Sequence, residues 1–165
     1  MHSRKLIAVL VLAAGLVVPG TVFAGPAAAD VESCEVEIVE IVAYDVSEKD
    51  GKDELRVKIG GNLFPNNGYV NARNGDTLSP GDFGDPVALL EVDDGDLAVS
   101  LREVTPPYVN DGYNLGSAYA SATQCSGLDP GYFVEDEDIV QGDVNGNSSK
   151  HYEYAITLRL IGRSG

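Results

Sequence analysis

The chain has 165 residues, of which 26 are Asp or Glu and 11 are Lys or Arg, giving a formal net charge of −15. This charge argues against nucleic acid and anionic lipid as direct partners, because their phosphates would be repelled. It is consistent with cations, with cationic proteins, or with simple solubility outside a cell.

The first predicted element is a secretory signal peptide over residues 1–24. A basic start precedes an apolar run over residues 6–18, which is too short to span a bilayer. Small-residue sites of the A-x-A kind predict cleavage after residue 24 or as late as Ala29. The alternative is a short buried N-terminal helix. Residues 30–165 form the predicted domain, and 26 acidic against 9 basic residues give the exported chain a net charge of −17.

The first predicted strand is the β-branched run Val36–Val42. Strict alternation breaks within it, because Val36 and Ile38 share one face whereas Ile41 and Ala43 share the other. Such a shift predicts a β-bulge or a strand that is covered on both faces.

An acidic loop over Asp45–Glu54 leads into a regular second strand, Leu55–Ile59. Its odd-numbered residues are apolar and predicted to point inward, whereas Glu54, Arg56 and Lys58 point outward. Turn residues then punctuate the chain as far as Gly84.

A hairpin is predicted further along the chain. The apolar run Pro86–Val92 and the alternating run Leu97–Leu101 flank Asp93–Asp96, which contains an Asp-Gly turn pair. Another strand is predicted over Tyr113–Ala120, with Tyr113, Leu115, Ser117 and Tyr119 on one face. The last strand is the most regular, with these inward residues: Tyr152, Tyr154, Ile156, Leu158 and Leu160.

Seven or eight short strands with frequent turns predict an all-β fold, a single antiparallel β-sandwich. No helical periodicity follows the signal peptide. The chain contains two cysteines, Cys34 and Cys125. In an exported protein two cysteines predict one disulfide, here from the first strand to a late loop.

The order of these features resembles the C2-like β-sandwich of small exported actinobacterial-type proteins. The first set of matching features is the strand Val36–Tyr44, the loop Asp45–Glu54 and the strand Leu55–Ile59. The second is Leu97–Glu103 followed, after a loop, by Asp111–Gly116. The resemblance implies a calcium-binding end of the sandwich.

Calcium takes six to eight oxygen ligands, which loops at one end of a sandwich can supply together. With C2-like connectivity, two loops would bring together a Ca²⁺ ligand set: Asp45, Asp50, Asp53, Glu54, Glu103 and Asp111. The chain departs from the C2 pattern in its second loop. Pro106, Pro107, Asn110 and Asn114 occupy a region in which C2 domains usually carry several aspartates.

Catalysis is not predicted. His151 is the one histidine after the signal peptide, and no G-x-S-x-G or other nucleophile context accompanies it. We therefore expect a secreted, non-catalytic binding module, either stabilised by Ca²⁺ or without a cofactor. Its expected partner is an extracellular protein or cation, and the chain is expected to be a monomer. The alternatives are an exported structural or surface protein without a specific ligand, and an acidic protein inhibitor.

Overall fold

The computed structural model describes residues 30–165, apart from the side chains of Tyr108, Val109, Asn145 and Ser149. The predicted signal peptide lies outside the described residues. Within them the chain forms ten strands, β1 to β10 in order, and one short helix, α1, over Ala122–Ser126. The strand bounds are Val31–Asp45, Asp53–Ile59, Asn62–Phe64, Val70–Ala72, Thr77–Leu78, Val87–Glu91, Leu97–Thr105, Tyr108–Ala120, Phe133–Asp143 and His151–Ser164.

The strands form two antiparallel sheets that pack face to face, which confirms the predicted antiparallel β-sandwich. Sheet A has the order β5-β1-β10-β9, with β6 also pairing with β1. Sheet B has the order β3-β2-β7-β8, with β4 also pairing with β2. Seven strands have five or more residues, and the three others are shorter pieces that complete the sheet edges.

The core lies between the sheets and is built from alternate residues of the long strands. In β2 and β10 the predicted inward residues are buried, including Leu55, Val57, Ile156 and Leu158. Glu54, Arg56 and Ala155 were predicted to point outward, and they are buried as well. Burying apolar side chains is the main favourable term in folding, at roughly 25 cal/mol for each Å² of apolar surface.

The predicted irregularity in β1 is a bulge. The register of β1 against β10 shifts between Ile38 and Glu40, so Val39 has no direct partner. The shift brings Val36 and Ile41, which strict alternation would place on opposite faces, into the same core.

The predicted hairpin is wrong. Strand β6 pairs with β1 in sheet A, whereas β7 pairs with β2 and β8 in sheet B. The intervening residues form a 3₁₀ turn over Val92–Asp94, and Gly95 has a φ of 82° and a ψ of −175°. The acidic turn therefore carries the chain from one sheet to the other instead of reversing it within a sheet.

The predicted face of β8 is also wrong beyond Leu115. Leu115 is buried as expected, but Ala118 and Ala120 follow it into the core whereas Tyr119 is exposed. The cause is a register shift against β7, in which Leu101 pairs with Gly116 and the next residue pairs with Asn114. In the sequence, Gly116 is the one feature that indicates this bulge.

The helix α1 connects sheet B to sheet A and carries Cys125. Its sulfur is bonded to that of Cys34 in β1, with the two Cα atoms 5.8 Å apart, which confirms the predicted pairing. Both cysteines are fully buried. None of the described helices is long and apolar enough to cross a membrane.

Candidate functional site

Four loops meet at one end of the sandwich. Strand β1 ends there at Asp45, which pairs with Glu153 near the start of β10. Strand β2 begins there at Asp53, opposite the end of β4, and β7 reaches the same end at Glu103. The β1–β2, β4–β5, β7–β8 and β9–β10 loops therefore surround a common region.

Asp53 is the fully buried carboxyl group at this end. Its Oδ1 accepts hydrogen bonds from the Ser47 hydroxyl at 3.2 Å and from the Glu48 backbone N–H at 3.0 Å. Its Oδ2 accepts from the Ser47 backbone N–H at 3.0 Å and from the Tyr154 hydroxyl at 2.5 Å. Four donors therefore satisfy this carboxyl, as burial of such a group requires.

The alternation of β2 and β10 explains this arrangement. Asp53 continues the inward series of Leu55 and Val57, and Tyr154 continues the inward series of Ile156 and Leu158. The inward faces of the two strands meet in the core, so the phenol of one sheet reaches the carboxyl of the other. Burial and the neighbouring Asp53 raise the pKa of the Tyr154 hydroxyl, which keeps it a proton donor.

Glu103 is the second inward-facing acid at this end. It lies opposite Leu55 in the β2–β7 ladder and is 7% exposed. Burial, the nearby Asp53 carboxylate and a hydrogen bond with Glu48 raise the pKa of Glu103 to about 7. Lys150 acts in the opposite direction and lowers it. The protonated and ionised forms of Glu103 are therefore both populated near neutral pH.

A cleft of about 630 Å³ opens beside Glu103. The β1–β2 loop contributes Glu48 to its wall, and the β9–β10 connection contributes Lys150. The β7–β8 loop and the start of β8 contribute apolar surface from Pro106, Pro107 and Tyr113. The volume falls within the range of small-molecule sites in proteins, and the lining combines apolar walls with a few polar groups, as such sites do.

The other acids of the first loop are arranged differently. Glu54 points away from the core and accepts a hydrogen bond from the Lys52 ammonium at 2.6 Å. Asp50 is exposed, with a carboxylate oxygen 3.9 Å from the same ammonium. Asp45 accepts a hydrogen bond of 3.4 Å from the Asn74 side chain.

Asp111 belongs to another part of the surface. Its carboxylate oxygen lies 3.1 Å from the Lys58 ammonium, which lowers the pKa of Asp111. Arg56 and Arg102 lower it further, and these basic residues follow the outward alternation of sheet B. The Asp111 carboxylate therefore offsets part of the positive charge of these basic residues on the outer face of sheet B.

The structure thus brings Asp53 and Glu103 together from the predicted ligand set and leaves Asp111 apart from them. Asp53 offers little to a metal ion, because internal hydrogen-bond donors already occupy both of its oxygens. Across residues 30–165, apart from the four undescribed side chains, no three or more His, Cys, Asp or Glu side chains form a group that could hold a metal ion. These residues do not fit a calcium cup of the kind the C2 resemblance implies.

Sequence reasoning missed the cleft and the roles of Glu48, Tyr113, Tyr154 and Lys150. A usable signal was present, because Asp53 and Glu103 both stand at positions where alternation requires an inward residue. A charged residue in such a position marks a buried polar group that must have a partner. The partner itself lies in the other sheet, and local sequence patterns do not identify it.

The described chain is similar in fold to two solved structures of C2 domains. A C2 domain of a plant extended synaptotagmin 1 matches with a TM-score of 0.49 and 11% identity, over 82% of this chain and 97% of that one. A pair of C2 domains from extended synaptotagmin 2 matches with a TM-score of 0.44 and 13% identity, over 94% of this chain. The second match spans only 48% of the solved chain.

No protein-family model and no curated protein matches the chain. Because both structural scores are low, the fold assignment rests on the order and register of the two sheets described above.

Proposed function

We propose that this chain is an exported, non-catalytic binding module and that the cleft beside Glu103, the end cleft, is its ligand site. The end cleft itself carries the proposal, because it joins a partly buried polar floor to apolar walls within one concave region. Loops at one end of a rigid sandwich commonly carry function while the sheets hold them in place.

Two further observations support export and a non-catalytic role. The buried disulfide between Cys34 and Cys125 is of a kind that persists in oxidising compartments. His151, the one histidine after the predicted signal peptide, is paired through Nδ1 with Asp143 at 3.1 Å and does not line the end cleft.

Export is tested by expressing residues 1–165 in a secreting bacterial host. We expect the protein in the medium to begin at Gly25 or as late as Asp30, and N-terminal sequencing of the secreted protein reads this directly. Retention of residues 1–24 on a cell-associated protein would contradict export by this route.

The ligand site is tested by nuclear magnetic resonance with small amines, carboxylates, zwitterions and sugars. We expect at least one class to shift the amide signals of residues around the end cleft. Thr105→Trp, which fills the cleft from its rim, should abolish those shifts. Thr123→Trp on the exposed face of α1 is the matched control and should preserve them.

If no class moves these signals, or if Thr105→Trp leaves the shifts intact, the end cleft is not the ligand site. The first outcome would favour an exported structural or surface protein without a specific ligand. Binding of a basic protein away from the end cleft would favour an acidic inhibitor.

A further inference from the structure

The end cleft carries groups of both charge signs. Glu48 and Glu103 supply two carboxyl groups that line the cleft, and Lys150 supplies an ammonium. Among the described side chains, Lys150 takes part in none of the ion pairs. The cleft therefore holds a cation and an acid pair that are close enough to affect one another's charge but are not joined.

The protonation of the acid pair is set by groups on several elements. Asp53 at the start of β2 and Glu48 in the β1–β2 loop both favour protonated Glu103, whereas Lys150 favours its ionised form. The hydroxyls of Tyr152 and Tyr154 on β10 also lie within the electrostatic reach of Glu103.

Tyr113 on β8 also lines the cleft, so its phenol is a further titratable group near Glu103. Near neutral pH the Glu103 carboxyl is only partly ionised, so it repels the neighbouring Glu48 less than a full negative charge would.

We propose that the end cleft binds a small zwitterion of the amino-acid class, with its ammonium on Glu48 and Glu103 and its carboxylate on Lys150. This inference rests on the proposed ligand site. The zwitterion matches both charged groups, whereas a simple cation would leave Lys150 repelling it and a simple anion would be repelled by the acid pair.

The rest of the lining fits the hydrocarbon part of such a ligand. Pro106, Pro107 and Tyr113 provide apolar surface at the β7–β8 side of the cleft. The aromatic face of Tyr113 can also attract an ammonium group.

Binding should release the proton of Glu103. An ammonium placed on the acid pair favours its ionised form, so the proton leaves for solvent as the ligand arrives. Affinity should therefore rise by roughly five- to tenfold between pH 6 and pH 7.5, the interval in which a group of pKa about 7 loses its proton.

The test is isothermal titration calorimetry of the exported protein with L-norleucine, pentylammonium and hexanoate. Norleucine combines both charged groups, and each of the others retains only one. We expect norleucine to bind at least tenfold more tightly than either, with proton release detected as a dependence of the heat on the buffer. Equal binding by pentylammonium or by hexanoate would overturn the zwitterion assignment, as would norleucine binding without proton release.

Two variants test the contacts of the ligand ammonium with Glu103 and of the ligand carboxylate with Lys150. Glu103→Gln should weaken norleucine binding about tenfold or more and remove most of its pH dependence, and Lys150→Met should weaken it by a similar factor. Lys49→Met, an exposed neighbour in the β1–β2 loop, is the control and should change nothing. Circular dichroism checks that each variant is folded, and the comparison of the three ligands on the unaltered protein decides the question without any variant.

The two proposals fail in different ways. If norleucine does not bind but another class still shifts the signals around the end cleft, the zwitterion assignment falls and the ligand site stands. If no class shifts those signals, both fall.

Discussion

Asp53 and Tyr154 occupy inward positions of strands that are otherwise apolar at those positions. Their hydrogen bond of 2.5 Å joins sheet B to sheet A at the polar end of the core. Asp53 also accepts three donors from Ser47 and Glu48, so the same carboxyl holds the β1–β2 loop in place. Loss of one donor would leave a buried carboxyl incompletely satisfied, which is more costly than losing a surface hydrogen bond.

The first prediction concerns the Tyr154 hydroxyl. Tyr154→Phe removes one donor from Asp53 and should lower the free energy of unfolding by about 2 kcal/mol, a typical value for a hydrogen bond to a charged group. Urea denaturation measures the change, and hydrogen exchange should become faster at the backbone amides of Ser47 and Glu48. Tyr119→Phe removes an exposed hydroxyl and should change neither quantity. Equal effects of the two substitutions would contradict this role.

The second prediction concerns pH. The pKa of Glu103 rises from 4.5 to about 7 on folding, so between these values the folded protein holds a proton that the unfolded chain has lost. Its contribution to stability is therefore greatest below about pH 4.5, falls as the pH rises, and levels off above about pH 7. The total loss is about 3 kcal/mol at most.

Glu103→Gln removes this titration, and the variant should be more stable than the unaltered protein at pH 8. Its free energy of unfolding should also vary less between pH 4.5 and pH 7, as measured by urea denaturation across that range. Glu137→Gln on the exposed side of β9 should leave the pH profile unchanged. A Glu103→Gln profile as steep as that of the unaltered protein would refute the assignment.

The third prediction concerns calcium. The acids of the predicted ligand set have internal partners, so Ca²⁺ should leave the melting temperature unchanged relative to a chelator. Thermal melts at about 5 mM Ca²⁺ test this, since extracellular calcium modules bind in the range of about 0.1–1 mM. The opposite outcome is a higher melting temperature in Ca²⁺ that the double substitution Asp45→Asn, Asp53→Asn abolishes. That result would establish the ligand set implied by the C2 resemblance.

At the scale of the elements, the edges of the two sheets meet where β8 passes β9. The Asp138 side chain of β9 accepts a hydrogen bond of 2.8 Å from the Tyr119 backbone N–H of β8. The Asp136 side chain accepts one of 3.2 Å from Gln124. The acidic run of β9 therefore accepts hydrogen bonds from the neighbouring edge of sheet B. Its negative charge also discourages the edge strands from pairing with other chains.

The fourth prediction concerns Gly116, which lies at this approach. A Cβ atom at residue 116 would lie 2.6 Å from Cγ1 of Val140 in β9, and its φ of +153° also disfavours other residues. Gly116→Ala should destabilise the protein by about 1–3 kcal/mol, the usual cost of overpacking a core. Gly81→Ala is the control, because its nearest neighbour would be 3.8 Å away. Equal denaturation midpoints for the two variants would contradict the close approach of β8 to β9.

The alternation of inward and outward residues within one strand could be predicted from the sequence, whereas the pairing of strands could not. The inward residues of β2 and β10 and the irregularity of β1 were evident because they depend on neighbours in the chain. The pairing of β6 with β1 depends on contacts between residues fifty or more positions apart, which a local turn sequence such as Asp94-Gly95 does not indicate. For the same reason the carboxyl of Asp53 could be identified as unusual but not assigned to Tyr154.

At the scale of the whole molecule, the chain crosses repeatedly between the sheets. Strands β1, β5, β6, β9 and β10 belong to sheet A, and the intervening strands belong to sheet B. Each crossing creates contacts between distant parts of the sequence, which raises the entropy cost of closing the fold. The disulfide secures one of these crossings, because Cys125 lies on the helix that leads from β8 to β9 and Cys34 lies on β1.

The fifth prediction follows from this position of the disulfide. The two cysteines are 91 residues apart, so their bond closes a long loop of the unfolded chain and should stabilise the fold by about 4–5 kcal/mol. Cys34→Ala with Cys125→Ala should lose most of this free energy in urea denaturation. The unaltered protein with its disulfide reduced should lose a similar amount while keeping both buried sulfur atoms, which separates loop closure from packing. Two free thiols in the native protein, or unchanged stability after reduction, would show that the covalent bond does not hold the sheets together.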